Sequence, residues 1–172
     1  MMQSEIFKKI KNYKEIGAVA GRLRRKGKKI VFAMGTFDVL HLGHVLFLEQ
    51  AKKFGDVLIV GVGSDKNVKI LKGKNRPIYP EKLRAAMVTA IDFADYTVIL
   101  AENFKNKKDD YSECLSKIKP DIFALNSDDS AKKETKNITQ KMGIKLKLIK
   151  RAASKIPHIS TTSTHKKITG IL

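Results

Sequence analysis

Two rhythms of apolar residues alternate along this chain. Short, nearly uninterrupted runs occur in KKIVFAM (28–34), DVLIVGV (56–62), YTVIL (96–100), DIFAL (121–125) and IKLKLI (144–149). A strand that is apolar at successive positions is covered on both faces, which is the condition of a parallel sheet wrapped by helices. Between these runs, apolar positions recur every three or four residues, the helical period. Residues 5–26 carry Ile6, Ile10, Ile16, Val19 and Leu23, with a break expected at Gly17 and a stop at Gly27. Further helices are expected from Gly43 (Val45, Leu48, Ala51), from Pro80 (Leu83, Ala86, Met87, Ala90), over 111–119, and over 131–142 with Gly143 as cap. LKGKNRPIYP (71–80) reads as a polar loop, and a last helix begins in STTST. The pattern predicts an α/β fold, one doubly wound domain over 29–172 on a five-stranded parallel sheet. Residues 1–28 form an N-terminal helical extension.

Composition narrows the picture. With 172 residues the chain is long enough for one such domain with a proper core. No apolar run approaches the roughly 20 residues of a membrane span, and MMQSEIFKKIKNYKEIG has no apolar signal core. Cys114 is the lone cysteine, which leaves no disulfide framework or thiolate metal site. These features predict a cytoplasmic protein. Charge is the unusual property: 35 Lys and Arg oppose 17 Asp and Glu, a net of +18. Such a field attracts polyanions, so a basic nucleic-acid-binding module is one reading. Against it, the lysines are scattered, GRLRRKGKK and FKNKK contain no interleaved aromatics, and aromatic residues make up only 7%. Stacking platforms for single strands are poorly supplied. The charge therefore reads first as a solvated surface, with nucleic acid not expected as partner.

The chemistry concentrates in GTFDVLHLGH, Gly35 to His44, directly after the first strand. Gly35 permits a tight turn and Gly43 leaves a helix start open, where exposed amides make a ready anion site. His41 and His44 flank those amides, and each imidazole can donate to a phosphate oxygen. Asp38 is the nearest candidate to hold a magnesium ion (Mg²⁺) against the phosphates. The competing reading makes His41 a turn cap and His44 an ordinary helix residue. Two histidines in H-x-G-H behind a strand and an aspartate favour phosphate binding. Lys72, Lys74 and Arg76 could clamp phosphates from the loop that follows, or could be solvated. Ser160, Thr161 and Thr162 open the final helix. Their hydroxyls could serve as an N-cap or as a phosphate cradle, two uses of one geometry.

GTFDVLHLGH resembles the signature of the cytidylyltransferase-like nucleotidyltransferases, the H-x-G-H superfamily. The resemblance runs from about Lys28 to about Lys167. The stretch from FLEQAKKFG to YTVIL is similar to the nucleotidyltransferase domain of ADP-heptose synthase, and LRRKGKKIVF also fits. The resemblance implies a Rossmann-like fold and attack of an acceptor phosphate on the α-phosphorus of a nucleoside triphosphate, releasing pyrophosphate. It implies catalytic roles for His41, His44 and Lys72, with Asp38 beside the metal. It also implies nucleotide-binding positions at Gly35, Thr36, Phe37, Gly43, Arg84, Asp128, Ser160, Thr161 and Thr162. The pairing of ATP with a phosphorylated sugar such as heptose 1-phosphate follows from the middle segment. A CTP-dependent cytidylyltransferase acting on glycerol 3-phosphate or a similar alcohol, or an FAD synthase, is the alternative. Family members often form homodimers. Thr36 stands where ADP-heptose synthases usually carry Cys. Asn126 and Ser127 stand where the superfamily has glycines, which leaves the base and the acceptor open.

Overall fold

The structure, a computed structural model, describes residues 4–101, 104–105, 108–109 and 111–150. The chain begins with α1 (Glu5–Lys9), β1 (Ile10–Lys11) and α2 (Tyr13–Arg25), followed by β2 (Ile30–Gly35) and α3 (Leu42–Lys52). It continues through β3 (Val57–Val62), α4 (Asp65–Lys72), α5 (Glu81–Thr89) and β4 (Tyr96–Ile99). A short antiparallel pair, β5 (Phe104–Lys105) and β6 (Lys108–Asp109), precedes α6 (Ser112–Ile118), β7 (Ile122–Asn126), α7 (Lys132–Lys141) and β8 (Lys145–Ile149).

Alternation along each strand divides the core between the two faces of the sheet. Ile30 and Phe32 of β2, Ile59 of β3 and Phe123 of β7 point to one side, where they pack with Ile16 and Val19 of α2 and Leu115 and Ile118 of α6. Val31, Ala33, Leu58, Val60 and Ala124 point to the other side, against Leu48 and Ala51 of α3 and Ala85 and Val88 of α5. All six residues of β3 are buried, as expected of a central strand covered on both faces.

The main sheet is parallel with six strands in the order β1-β4-β3-β2-β7-β8. It holds the five expected strands and one more. Ile10 and Lys11 pair with Thr97 and Val98 at the edge, inside the segment expected to be helical. The N-terminal helical break therefore lies at 10–12 and not at Gly17. Asn12 caps α2 by accepting from the Glu15 N–H at 2.9 Å, while Glu15 accepts the Asn12 N–H at 2.9 Å. This reciprocal box fixes where α2 starts, and Gly17 continues the helix where α2 passes α6, near Lys117. Gly27 and Gly143, both at φ +68°, follow α2 and α7 as expected of residues that end helices in the left-handed region.

The second departure is α4, which occupies part of the presumed polar stretch. Ser64 caps it by accepting from the Asn67 N–H at 3.3 Å, and Asn67 and Val68 are buried beneath it.

Candidate functional site

From β2 the chain moves outward through β3 and β4, then returns to add β7 and β8 on the other side. The strand order reverses between β2 and β7, and the crevice beyond the carboxyl ends at such a point is where open α/β sheets bind ligands. Gly35 to His44 forms one lip of that crevice.

Inside this crossover the backbone is strained. Phe37 lies at φ +49°, a region that costs a non-glycine residue about 1–3 kcal/mol. Its ring is buried, 2% exposed, and lies so close to Gly35 that a Cβ there would come within 3.0 Å of it. The Phe37 side chain thus belongs to the core, and only its backbone is available to a nucleotide. His41 is the N-cap of α3 with extended backbone. Its ring covers Gly43, where a Cβ would meet imidazole atoms at 3.0 Å. His44, in the first turn, stacks on His41 with centroids 3.9 Å apart and planes 22° apart, and takes the edge of Phe37 at 5.3 Å. The His44 Nδ1 accepts the His41 backbone N–H at 3.4 Å. An acceptor Nδ1 puts the proton of the neutral ring on Nε2. The sequence motif thus becomes a packed imidazole pair at the positive end of a helix dipole.

Asp38 has a different task from the one expected. It is fully buried; Oδ1 accepts the N–H groups of Ile78 and Tyr79 at 2.6 and 3.1 Å, and Oδ2 lies 2.6 Å from Arg76 Nε. Oδ1 is taken up by backbone donors and Oδ2 faces the Arg76 guanidinium, so a magnesium ion does not fit this carboxylate. Among the described residues, no group of three or more His, Cys, Asp or Glu could hold a metal ion. Arg84 requires a similar correction. Expected among the nucleotide-binding positions, it is fully buried and its guanidinium is taken up by protein groups. Its Nη1 donates to the Thr36 carbonyl at 2.5 Å, Nε to the Tyr79 carbonyl at 2.8 Å, and Nη2 to Asp65 Oδ1 at 2.7 Å. Asp38 and Arg84 together fasten the 76–79 segment and the start of α4 to the histidine turn.

Asp128 is exposed in the turn after β7, and β2 pairs directly with β7, so it stands on the opposite lip of the crevice. Lys72, expected in a loop, is the exposed last residue of α4. Ser160, Thr161 and Thr162 lie outside the described residues. Cys114 is buried, and burial pushes its thiol up to about 12, so it is no nucleophile near neutrality. Lys74 and Arg76, named above as possible phosphate clamps, line a cleft of about 530 Å³ between α4 and the 74–80 segment, together with Lys66 and Lys69 of α4, which the sequence reading did not include. Ser64, an N-cap residue type ahead of Val68, was the available signal for the helix that builds it.

Comparison with known proteins agrees with this geometry. The family model for cytidylyltransferase-like proteins matches residues 32–167. The bifunctional protein HldE of Aliarcobacter butzleri is 40% identical over 159 residues, 92% of this chain and 31% of that protein. HldE of a Nitratiruptor species is 46% identical over 119 residues, 69% of this chain and 24% of that protein. The chain therefore spans only a quarter to a third of the length of these curated relatives. Among solved structures, a lipopolysaccharide core biosynthesis protein from Thermoplasma volcanium aligns with TM-score 0.61 at 31% identity, over 73% of this chain and 98% of that one. A pantoate-β-alanine ligase from Francisella tularensis, at 18% identity, shares the fold with TM-score 0.62 over 93% of this chain and 76% of that one. With the H-x-G-H pair seated at the switch point of a Rossmann-like sheet and the family model matching most of its length, this chain belongs to the cytidylyltransferase-like family of nucleotidyltransferases.

Proposed function

We propose that the chain transfers the nucleotidyl group of a nucleoside triphosphate, ATP in our reading, to a phosphorylated sugar such as heptose 1-phosphate. An acceptor phosphate oxygen forms a bond to the α-phosphorus, the bond from that phosphorus to the bridging oxygen breaks, and pyrophosphate leaves. The acceptor is already an anionic nucleophile, so the protein need supply no general base. Its work is to align two anions and to neutralise the charge that grows on the α-phosphate.

The observation that carries this reading is the stacked His41–His44 pair at the start of α3. Two imidazoles and a helix N-terminus make a donor array suited to polyphosphate oxygens. Magnesium enters the proposal only as a companion of the triphosphate's own oxygens. The sugar-phosphate acceptor is supported by likeness to the HldE proteins. The cytoplasm is the compartment we propose. Among the described residues, no helix is long and apolar enough to cross a membrane.

The test is pyrophosphate release over a grid of nucleoside triphosphates and phosphorylated acceptors with Mg²⁺ present. ATP with a sugar 1-phosphate should be productive. Turnover confined to CTP with glycerol 3-phosphate would move the protein to the cytidylyltransferase alternative. His44→Ala should keep a native circular dichroism spectrum and lower kcat by about 10²–10³, the usual effect of removing one such donor. Undiminished turnover in that variant would refute the role given to the pair.

A further inference from the structure

We propose that the buried Arg84 is a positioning residue for the transfer. By holding the Thr36 carbonyl, it turns the Phe37 N–H toward the crevice as a fixed donor for the reacting phosphate. This deepens the function proposed above and rests on it for the reaction. The arrangement of the amides stands on its own geometry.

In a parallel strand, successive peptide groups face alternate neighbours. β2 breaks that alternation where it ends. The Gly35 carbonyl accepts the Gly63 N–H at 3.0 Å, just past β3. The C=O and N–H of a trans peptide point in opposite directions, so the Thr36 N–H is directed away from β3, toward β7. The Thr36 carbonyl would face β7 in a continued strand. Instead it accepts Arg84 Nη1 at 2.5 Å, and α5, which carries Arg84, packs on β3 and β4. The Phe37 N–H is thereby turned away from α5, to the side on which β7 and the crevice lie. Two consecutive amides end on one side, as in the backbone nests that bind anions. The departure is taken up at Phe37 itself, whose φ of +49° is far from strand geometry.

Neither amide is used within the fold. Among the described residues, the N–H groups of Thr36 and Phe37 have no hydrogen-bond partner. Phe37 is buried, and an unpaired N–H in such a place is rare. Thr36 beside it is only half-buried, which leaves the pair an approach. The Phe37 ring meets His44 edge-on at 5.3 Å, so amides and imidazoles belong to one turn. Arg84 itself is fully occupied, with Nε on the Tyr79 carbonyl at 2.8 Å and Nη2 on Asp65 Oδ1 at 2.7 Å. A planar fork fixed at three points cannot swing, so the Thr36 peptide is held in one orientation. A donor stabilises growing charge in proportion to how well it is aimed beforehand. Arg84 supplies that aim at one remove.

The experiment pairs amide NMR on the full chain, titrated with α,β-methylene-ATP, with initial-rate kinetics. It compares the parent with Arg84→Met, Arg84→Lys and Asp56→Asn, the folded fraction being read by circular dichroism. Asp56 accepts the Lys29 N–H at 2.7 Å at the opposite edge of the sheet, so its variant loosens the fold without touching the crossover. The analogue should shift the Thr36 and Phe37 amides in the parent. Asp56→Asn should keep those shifts and an unchanged kcat per folded molecule. Arg84→Met should lose the Phe37 shift and lower kcat per folded molecule by about 10- to 100-fold, less than removing a donor outright. If Arg84→Met does not fold, Arg84→Lys carries the test: without the fork, its Phe37 shift should shrink and its kcat fall several-fold. The proposal is overturned if the analogue leaves the Phe37 amide unmoved in the parent, or moves it equally in the Arg84 variants. It is equally overturned if those variants turn over, per folded molecule, as Asp56→Asn does. Absence of pyrophosphate release from every substrate pair, with a Phe37 shift that depends on Arg84, would instead count against the proposed reaction.

Discussion

At the scale of single residues, charged side chains in this molecule differ most in whether they face a ligand or hold the backbone that does. His41 and His44 were legible from the sequence because their spacing, their glycines and the preceding strand all constrain one another. Asp38 and Arg84 were recognisable as important but misassigned. A motif gives the position of a charge along the chain, while its partners come from segments about 40 residues away. Arg84 joins Thr36, 48 residues away, to Asp65 and to the nearby Tyr79 carbonyl. Arg84→Met keeps most of the volume and leaves two carbonyls without a donor. It should cost about 2–4 kcal/mol, the lower part of the range for breaking a buried charged contact because Asp65 is 44% exposed and can rehydrate. Arg84→Lys should recover only part of this, since an ammonium cannot reproduce the guanidinium fork. Urea denaturation measures both; a methionine variant as stable as the parent would show that the three contacts carry no net free energy.

Between elements, the two edges of the sheet are built differently. At the amino edge, the residue just before each of β3, β4 and β7 is an aspartate that accepts a backbone N–H at the start of a neighbouring strand. Asp56 accepts from Lys29 at 2.7 Å, Asp95 from Leu58 at 2.7 Å and Asp121 from Ile30 at 2.7 Å. Asp95 also ion-pairs with Lys52. These carboxylates hold register at the edge away from the site and leave the carboxyl edge for ligands. The Lys29 N–H holds the Asp56 carboxyl below its ordinary value, against the opposing effect of burial, and the charges of Lys28, Lys52 and Lys29 add to the lowering. A carboxyl lowered in the folded state contributes stability above its unfolded pKa, and loses it as pH falls through the folded one. The parent should therefore exceed Asp56→Asn in urea stability at pH 7, with the gap closing between about pH 4 and pH 2, around and below the ordinary aspartate value. A gap that persists at pH 2 would assign the effect to packing. The strands themselves were readable because their apolar runs record burial on both faces. β1 was not, because two residues carry no period, and α4 was hidden by a lysine-rich composition that resembles loop.

Over the whole molecule, the net charge of +18 and the reversal of strand order both bear on the proposed capture of a nucleoside triphosphate. The parallel sheet was legible in the alternation of strands and helices, whereas its strand order was not, and the charge gave no direction by itself. The structure supplies a direction at one place, since cationic side chains gather at the cleft beside the crossover of the histidine pair. A basic field around a concave anion site raises the local concentration of anionic substrate and speeds encounter, and salt weakens it because the screening length falls to about 8–10 Å near physiological ionic strength. Groups inside the site are screened less, so the chemical step should respond less than capture does. From 50 to 300 mM potassium chloride, kcat/KM for the nucleotide should fall several-fold, roughly 3–10, while kcat stays within about a factor of two. Initial-rate kinetics across that series makes the comparison. A nucleic-acid module would behave differently: steep salt dependence would belong to oligonucleotide binding and would survive His41→Ala/His44→Ala. If kcat/KM is flat in salt while oligonucleotide affinity falls steeply, the charge serves a polynucleotide and not the triphosphate.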